Sequence, residues 1–151
     1  IGIIFFINML KRAKRRNQDL PFSVELLEVG AESLPFPDEF FDTIVITWVI
    51  CTLPQPNESM REIVRVLKPE GKVLWVEHTH SRFPLAQRIQ GFLNPLWRKV
   101  AGGCNMDRKP VVLMKEHGLV IDQFRPRGRE SWNLFPIYQG IATKQKSTDG
   151  C

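Results

Sequence analysis

Cysteine is scarce in this chain: Cys51, Cys104 and Cys151 lie far apart, with no C-x-x-C pair among them. An odd, scattered set argues against a disulfide framework and fits a reducing compartment. No zinc-finger spacing exists either, so no metal is expected. The tripeptide pattern G-x-G, the usual phosphate cradle, occurs nowhere in the sequence. The opening apolar run IGIIFFINML ends after ten residues, well short of the ~20 that cross a bilayer. It also lacks the small-residue cleavage site of a secretory signal. Internal repeats and low-complexity tracts are absent.

Charge of one sign is in slight excess, with 21 basic against 16 acidic residues and a net charge of +5. Lys11, Arg12, Lys14, Arg15 and Arg16, in the stretch KRAKRR, account for the whole excess. The rest of the chain is balanced, and no aromatics interleave the basic run. This pattern describes a solvated helix face, and no nucleic-acid partner is expected. A peripheral membrane contact through residues 1–16 stays open as an alternative to a buried strand followed by a helix. The expected location is intracellular, in the cytoplasm or on the cytoplasmic face of a membrane.

What is present reads as alternating strands and helices. Residues 2–7 and 8–17 form a strand and a helix, and 23–29 a second strand ended by Gly30. The loop LPFPD follows, held by Pro35 and Pro37. FDTIVITWVI, residues 41–50, is a continuous apolar run, as expected of a parallel strand covered on both faces. In PNESMREIVRVLKPEGK, Asn57 or a Ser59–Glu62 capping box starts a helix. Met60, Ile63, Val64 and Leu67 share one face of it, and Pro69 and Gly71 stop it. KVLWVEH, residues 72–78, completes a strand–helix–strand unit and implies a parallel sheet. An amphipathic stretch over 83–100 presents Leu85, Ile89, Phe92, Leu93 and Leu96 and breaks at Asn94–Pro95. Trp97 and Phe92 are read as core. Asp107 caps a further helix that ends at His117–Gly118. Residues 119–124 and 137–143 are the last two strands.

AESLPFPDEFFDTIVITWVICTL followed by REIVRVLKPEGKVLWVEH resembles the class I S-adenosylmethionine-dependent methyltransferases. The small-molecule group with the quinone-biosynthesis enzymes is especially similar. NPLWRKVAGGCNMDRK is similar to animal thiol methyltransferase-like proteins and bacterial phospholipid N-methyltransferases. The resemblance implies an α/β, Rossmann-like class I methyltransferase sheet, mostly parallel, with its last strand antiparallel. Residues 2–7, 23–29, 42–48 and 72–77 become the second to fifth strands of that fold, and the last two the sixth and seventh. The family's first strand and its glycine-rich loop have no counterpart here. They are expected upstream of Ile1 in a longer protein, unless the second strand slides into the gap beside the fourth. A partial domain over 1–143 and a loose tail over 144–151 follow from this reading.

The resemblance also implies the cofactor S-adenosyl-L-methionine and a small, lipophilic acceptor: a thiol, a lipid amine or a quinone-like ring. Gly30, Ala31 and Glu32 fall in the turn that reads the adenine edge in relatives. Thr47 and Trp48 fall beside the cofactor's methionine part. Ile4 replaces the acid that binds the ribose, and Gly30 replaces the usual acid before Ala31. Methyl transfer is an in-line displacement governed by proximity, so no triad or metal set is needed and no catalytic residue is assigned. Candidate substrate contacts are Cys51, His78, Cys104 and Asn105. Each has a second reading: packing thiol for Cys51, structural pair for Glu77–His78, tight-turn residue for Cys104. His78 and His80 share a face in EHTHS, but a third ligand at sensible spacing is missing. A degenerate module for partner or membrane binding, without catalysis, is the competing function.

Overall fold

The computed structural model describes residues 1–4, 7–127 and 134–144, with the side chains of residues 7 and 8 left aside. In chain order the elements are β1 (Gly2–Ile3), α1 (Ile7–Asn17), β2 (Leu26–Leu27), β3 (Phe41–Thr47), α2 (Pro56–Val66) and β4 (Leu67–His78). Then come α3 (Pro84–Val100), α4 (Pro110–Glu116), β5 (Leu119–Pro126) and β6 (Ile137–Lys144). The first two strands are much shorter than their apolar content suggests. β6 includes Lys144, the first residue of the expected tail; residues 145–151 lie outside the described residues.

Two sheets carry these strands. β1 and β2 pair in parallel by themselves, Gly2 opposite Leu26. The second sheet has the order β3-β4-β6-β5. β3 runs parallel to β4, and β6 runs against both β4 and β5. Three of its four strands therefore point one way and the last is reversed, as the resemblance implies. β3–α2–β4 is the expected crossover unit. β1 has not slid beside β3: it stays with β2, and β3 keeps an edge with no strand partner among the described residues.

Burial follows from this arrangement. α2 and α4 pack on one face of the larger sheet, where Ile46, Met60, Val73, Trp75 and Met114 form a cluster at most 3% exposed. The opposite face carries Val45, Thr47, Leu74, Val76 and Ile141 around a shallow groove of ≈ 220 Å³. Val45 is 65% exposed, so the reading of a strand covered on both faces is corrected. A continuous apolar run reports the strand but not whether a second layer covers it.

Helix boundaries bring further corrections. Gln55, not Asn57, precedes α2, and Pro56 at the first position needs no donor partner. The capping box is absent: the Ser59 hydroxyl donates to the Gln55 carbonyl (2.9 Å), and Glu62 turns to the backbone N–H of Leu34 (2.8 Å). Pro69 and Gly71 lie within β4 rather than ending α2, because Leu67 is already extended. Asp107 does not cap α4; it accepts from Asn94 Nδ2 at 2.9 Å.

α3 is the largest departure. It runs unbroken through Pro95, and its buried residues are Ala86, Gln90 and Asn94. Leu85, Phe92, Leu96 and Val100 face solvent, Phe92 at 85% exposure. Hydrogen bonding explains the inversion. Gln90 accepts from the Ser81 N–H and donates to the carbonyls of Met106 and Leu134. Asn94 accepts from the Met106 N–H while donating to Asp107. The polar stripe docks the helix, and the apolar stripe is left outside. The reading of Phe92 as core is therefore wrong, whereas Trp97 is half-buried against Phe135 at 4.7 Å between ring centres.

Candidate active site

β3 and β4 end side by side, and the chain turns sharply after each. Trp48 follows β3 with φ +57°, a left-handed conformation that bulky residues rarely adopt. Its N–H donates to the Val76 carbonyl (3.0 Å), and its ring lies 4.2 Å from the His78 ring, centre to centre. Beyond it, residues 49–53 fold over the strand ends and are held from three sides. The fully buried Glu77 carboxylate accepts the N–H groups of Val49 (2.7 Å), Ile50 (2.9 Å) and Cys51 (3.3 Å). Asn105 donates its backbone N–H and its side-chain Nδ2 to the Cys51 carbonyl, at 2.9 and 3.0 Å. Arg108 donates to the carbonyls of Ile50 and Leu53.

This folding brings together groups that are far apart in sequence. Cys51, His78 and Cys104 place one ligand-type atom each within 4.8 Å of one another. Cys104 Sγ is 4.0 Å from His78 Nδ1. The Gly102–Gly103 turn, with φ of +60° and +90°, delivers Cys104 to this point. The thiol of Cys104 is pulled down to about 4, first by a hydrogen bond from Cys51 and then by His78. Cys51 moves the other way, held protonated chiefly by that same bond and then by burial. The Trp97 indole adds a smaller pull on Cys104, although its buried N–H makes no hydrogen bond. Burial raises Glu77 against the downward pull of its three N–H donors.

Trp48, Cys51, His78, Cys104 and Asn105 therefore meet at one place. Thr47 is exposed beside them on the open sheet face. His80 stands apart from the trio, its pKa lowered chiefly by burial. Gly30, Ala31 and Glu32 follow β2 in the smaller sheet. Among the described residues no hydrogen bond or ring contact joins them to the strand-end cluster. The Glu32 carboxylate folds back over Gly30, and its Oε2 is buried without a hydrogen-bond partner. The half-buried Ile4 offers no acceptor beyond its backbone; its N–H is bonded to the Leu27 carbonyl.

The sequence reading missed what holds the proline loop. Arg65 donates to the carbonyls of Phe36 (2.8 Å) and Leu34 (3.0 Å) and to Asp38 (2.8 Å). Glu62 binds both the Leu34 N–H and Arg65, so α2 clamps residues 34–38. The i,i+3 spacing of Glu62 and Arg65 was a visible signal, but of a pair on the helix rather than of its reach to the loop.

A model of a methyltransferase domain matches residues 1–75. Over residues 1–75 the chain belongs to the methyltransferase domain family. The ubiquinone/menaquinone biosynthesis C-methyltransferase UbiE of Pectobacterium carotovorum is 40% identical over 72 residues, covering 46% of this chain and 29% of that protein. The rat thiol S-methyltransferase TMT1B is 29% identical over 108 residues, 69% of this chain and 43% of its own. A phosphatidylethanolamine N-methyltransferase of Cereibacter sphaeroides is 35% identical over 88 residues, 56% and 43% of the two chains. This methyltransferase domain thus spans less than half the length of each of these relatives. Among solved structures, the YcgJ protein of Bacillus subtilis superposes with a TM-score of 0.76 at 18% identity, covering 97% of this chain and 82% of that one. A SAM-dependent methyltransferase of Methanosarcina mazei gives 0.71 at 21% identity, covering 95% and 81%. The likeness to these two is one of fold, and it bears out the Rossmann-like α/β expectation.

Proposed function

We propose that this methyltransferase domain serves methyl transfer from S-adenosyl-L-methionine to a small, lipophilic acceptor: a thiol, a lipid amine or a quinone-like ring. One observation carries the reading: Trp48, Cys51, His78, Cys104 and Asn105 converge at the C-terminal ends of parallel strands, where open α/β sheets bind ligands. The cofactor, when bound, supplies an electrophilic methyl group. The residues present fit it in part. The buried, unpartnered Glu32 Oε2 suits a donor such as the adenine amine, and the Ala31 N–H suits the ring edge. Ile4 does not suit a ribose.

The chain's own residues would position and deprotonate the acceptor. The Glu77 clamp fixes the loop, so that Trp48 and Cys51 form a rigid wall. His78, beside the thiols, is placed to take a proton from an acceptor that carries one. The aromatic run from His78 through Phe135 to Trp97 gives that acceptor an apolar approach. Relatives that are a quinone-biosynthesis C-methyltransferase, a thiol S-methyltransferase and a phosphatidylethanolamine N-methyltransferase, 29–40% identical to parts of this chain, support the reading. The same reading would put the domain inside the cell, in the cytoplasm or at a membrane's cytoplasmic face.

Calorimetric titration of S-adenosylhomocysteine into the folded chain tests the reading. Saturable binding in the micromolar range supports it, and Glu32→Ala should weaken that binding. Absence of heat from a folded sample refutes it for this chain.

A second reading is a non-catalytic module at a membrane surface or a partner. The outward apolar stripe of α3 favours it, as does α1, whose Lys11, Arg12, Lys14, Arg15 and Arg16 are all exposed. α3 carries no acidic residue, and Arg98 and Lys99 close it. Among the described residues no helix is long and apolar enough to cross a membrane, so contact would be interfacial. Co-sedimentation with anionic vesicles, lost when the five α1 charges are neutralised, would support it.

A further inference from the structure

We propose that Cys51, His78 and Cys104 form a zinc site with an open fourth position, which takes a thiol as its thiolate. The second half of this inference rests on the methyl-transfer reading above; the metal site itself does not.

Three facts about the geometry lead there. First, the ligand set is two thiols and an imidazole, the soft and borderline donors that zinc prefers. Their ligand atoms lie within 4.8 Å of one another. Around a tetrahedral zinc, with bonds of about 2.3 Å to sulfur and 2.0 Å to nitrogen, neighbouring donors sit roughly 3.5–3.8 Å apart. Side-chain rotation alone closes that difference. Among the described residues no other trio of histidine, cysteine and acidic side chains comes as close.

Second, each donor is set on backbone that is already fixed. Cys51 is held at its N–H by Glu77 and at its carbonyl by Asn105. His78 ends β4, with its ring between Trp48 and Phe135. Cys104 follows two left-handed glycines, and its N–H donates to the Ala101 carbonyl at 3.2 Å. Rigid supports of this kind orient ligands in metal sites. Third, the described residues supply three donors and no fourth. Three protein ligands with one free position is the arrangement of reactive rather than purely structural zinc.

The chemistry balances simply. Zinc binding releases one proton from each cysteine thiol, and neutral His78 donates a lone pair, so with the metal in place the zinc, and not His78 as a base, promotes loss of the acceptor's proton. An incoming thiol loses its proton to solvent as its sulfur joins the metal. The acceptor class this favours is a low-molecular-weight thiol with an apolar body, since Trp48 and Phe135 flank the position.

Cobalt(II) titration of the reduced chain in a Cys151→Ser background is the test. One equivalent should bind, with the near-ultraviolet sulfur-to-cobalt absorption and strong visible bands of a tetrahedral thiolate site. Zinc should displace it stoichiometrically. Cys51→Ser and Cys104→Ser should each cut the sulfur band by about half or more and the double variant should abolish it, His78→Ala should weaken zinc binding at least tenfold, and His80→Ala should change nothing. Because cysteine-to-serine exchange is nearly isosteric, circular dichroism of these variants should match the parent. Benzenethiol added to the cobalt form should shift the sulfur band if the fourth position is open.

Absence of all these signals from the parent chain overturns the site, as does a sulfur band undiminished in either serine variant. Isolation of a Cys51–Cys104 disulfide that takes up no metal after reduction also overturns it. Homocysteine-adduct titration separates the two readings: S-adenosylhomocysteine binding without metal uptake sinks the zinc site alone. Metal uptake without S-adenosylhomocysteine binding keeps the zinc site and removes its link to methyl transfer.

Discussion

Replacing Glu77 should be among the most damaging single changes in this chain. Its carboxylate is fully buried and accepts three backbone N–H groups, from Val49, Ile50 and Cys51. Glu77→Ala strands all three donors in a site with no other acceptor for them, at about 1–3 kcal/mol each. Partial relaxation and water entry bring the sum to roughly 3–6 kcal/mol, a large part of the ~5–15 kcal/mol that holds a typical domain. Glu77→Gln keeps the shape and one oxygen. If that oxygen retains Val49 and Ile50, only the longest bond, to Cys51, is lost, and the cost falls to about 1–2 kcal/mol. Urea unfolding followed by circular dichroism measures both through the midpoint at constant slope. A loss below about 1 kcal/mol for the alanine variant would refute the clamp. So would a glutamine variant as damaged as the alanine one.

Two further changes test the frame around the site. A Cβ at Gly140 would collide with the Gln123 carbonyl and come within 2.7 Å of the Trp75 ring. Gly140→Ala should therefore cost about 1–3 kcal/mol or more by overpacking, read as a lowered thermal midpoint; an unchanged midpoint would show that β5 and β6 part easily. Glu62 is drawn down from 4.5 to about 2, chiefly by its hydrogen bond with Arg65. A depressed carboxylate stabilises the fold above its unfolded value, and that contribution fades as pH falls from about 4.5 toward 2. Acid unfolding should start in this window, and Glu62→Gln should remove that part of the slope; a slope identical in the variant would count against the clamp on residues 34–38.

The central block was the most legible part of the chain. A βαβ unit shows in sequence because its apolar periods are local: alternation and runs for β3 and β4, i, i+3, i+4 spacing for α2. Met60 and Ile63 were recognisable as one buried face for that reason, at 0% and 6% exposure, with Val64 half-buried beside them; Leu67, read onto the same face, is buried instead as the first residue of β4. Capping was misjudged at Asn57 because Pro56 already starts α2, at Ser59 because its hydroxyl bonds back to the Gln55 carbonyl, and at Asp107 because it pairs with Asn94, thirteen residues away. α3 was misjudged for a deeper reason. Amphipathicity identifies two faces, but the burial of one of them depends on which partners are available. Here the N–H of Ser81, both backbone groups of Met106 and the carbonyl of Leu134 needed Gln90 and Asn94, and unmet polar groups cost more than an exposed leucine gains.

The sequence by itself determined the alternating α/β order, the parallel pairing of the central unit and the family resemblance, because these depend on neighbours a few residues apart. Only the tertiary structure decided that β1 stays with β2, leaving β3 an open edge and one sheet face uncovered among the described residues. It alone showed that Cys51, His78 and Cys104 meet, the first of them on a loop closed by Glu77, Asn105 and Arg108. Contacts among residues so distant along the chain carry no periodic signature. They exist because parallel strand ends, a buried carboxylate and a left-handed glycine turn bring separate segments to one point.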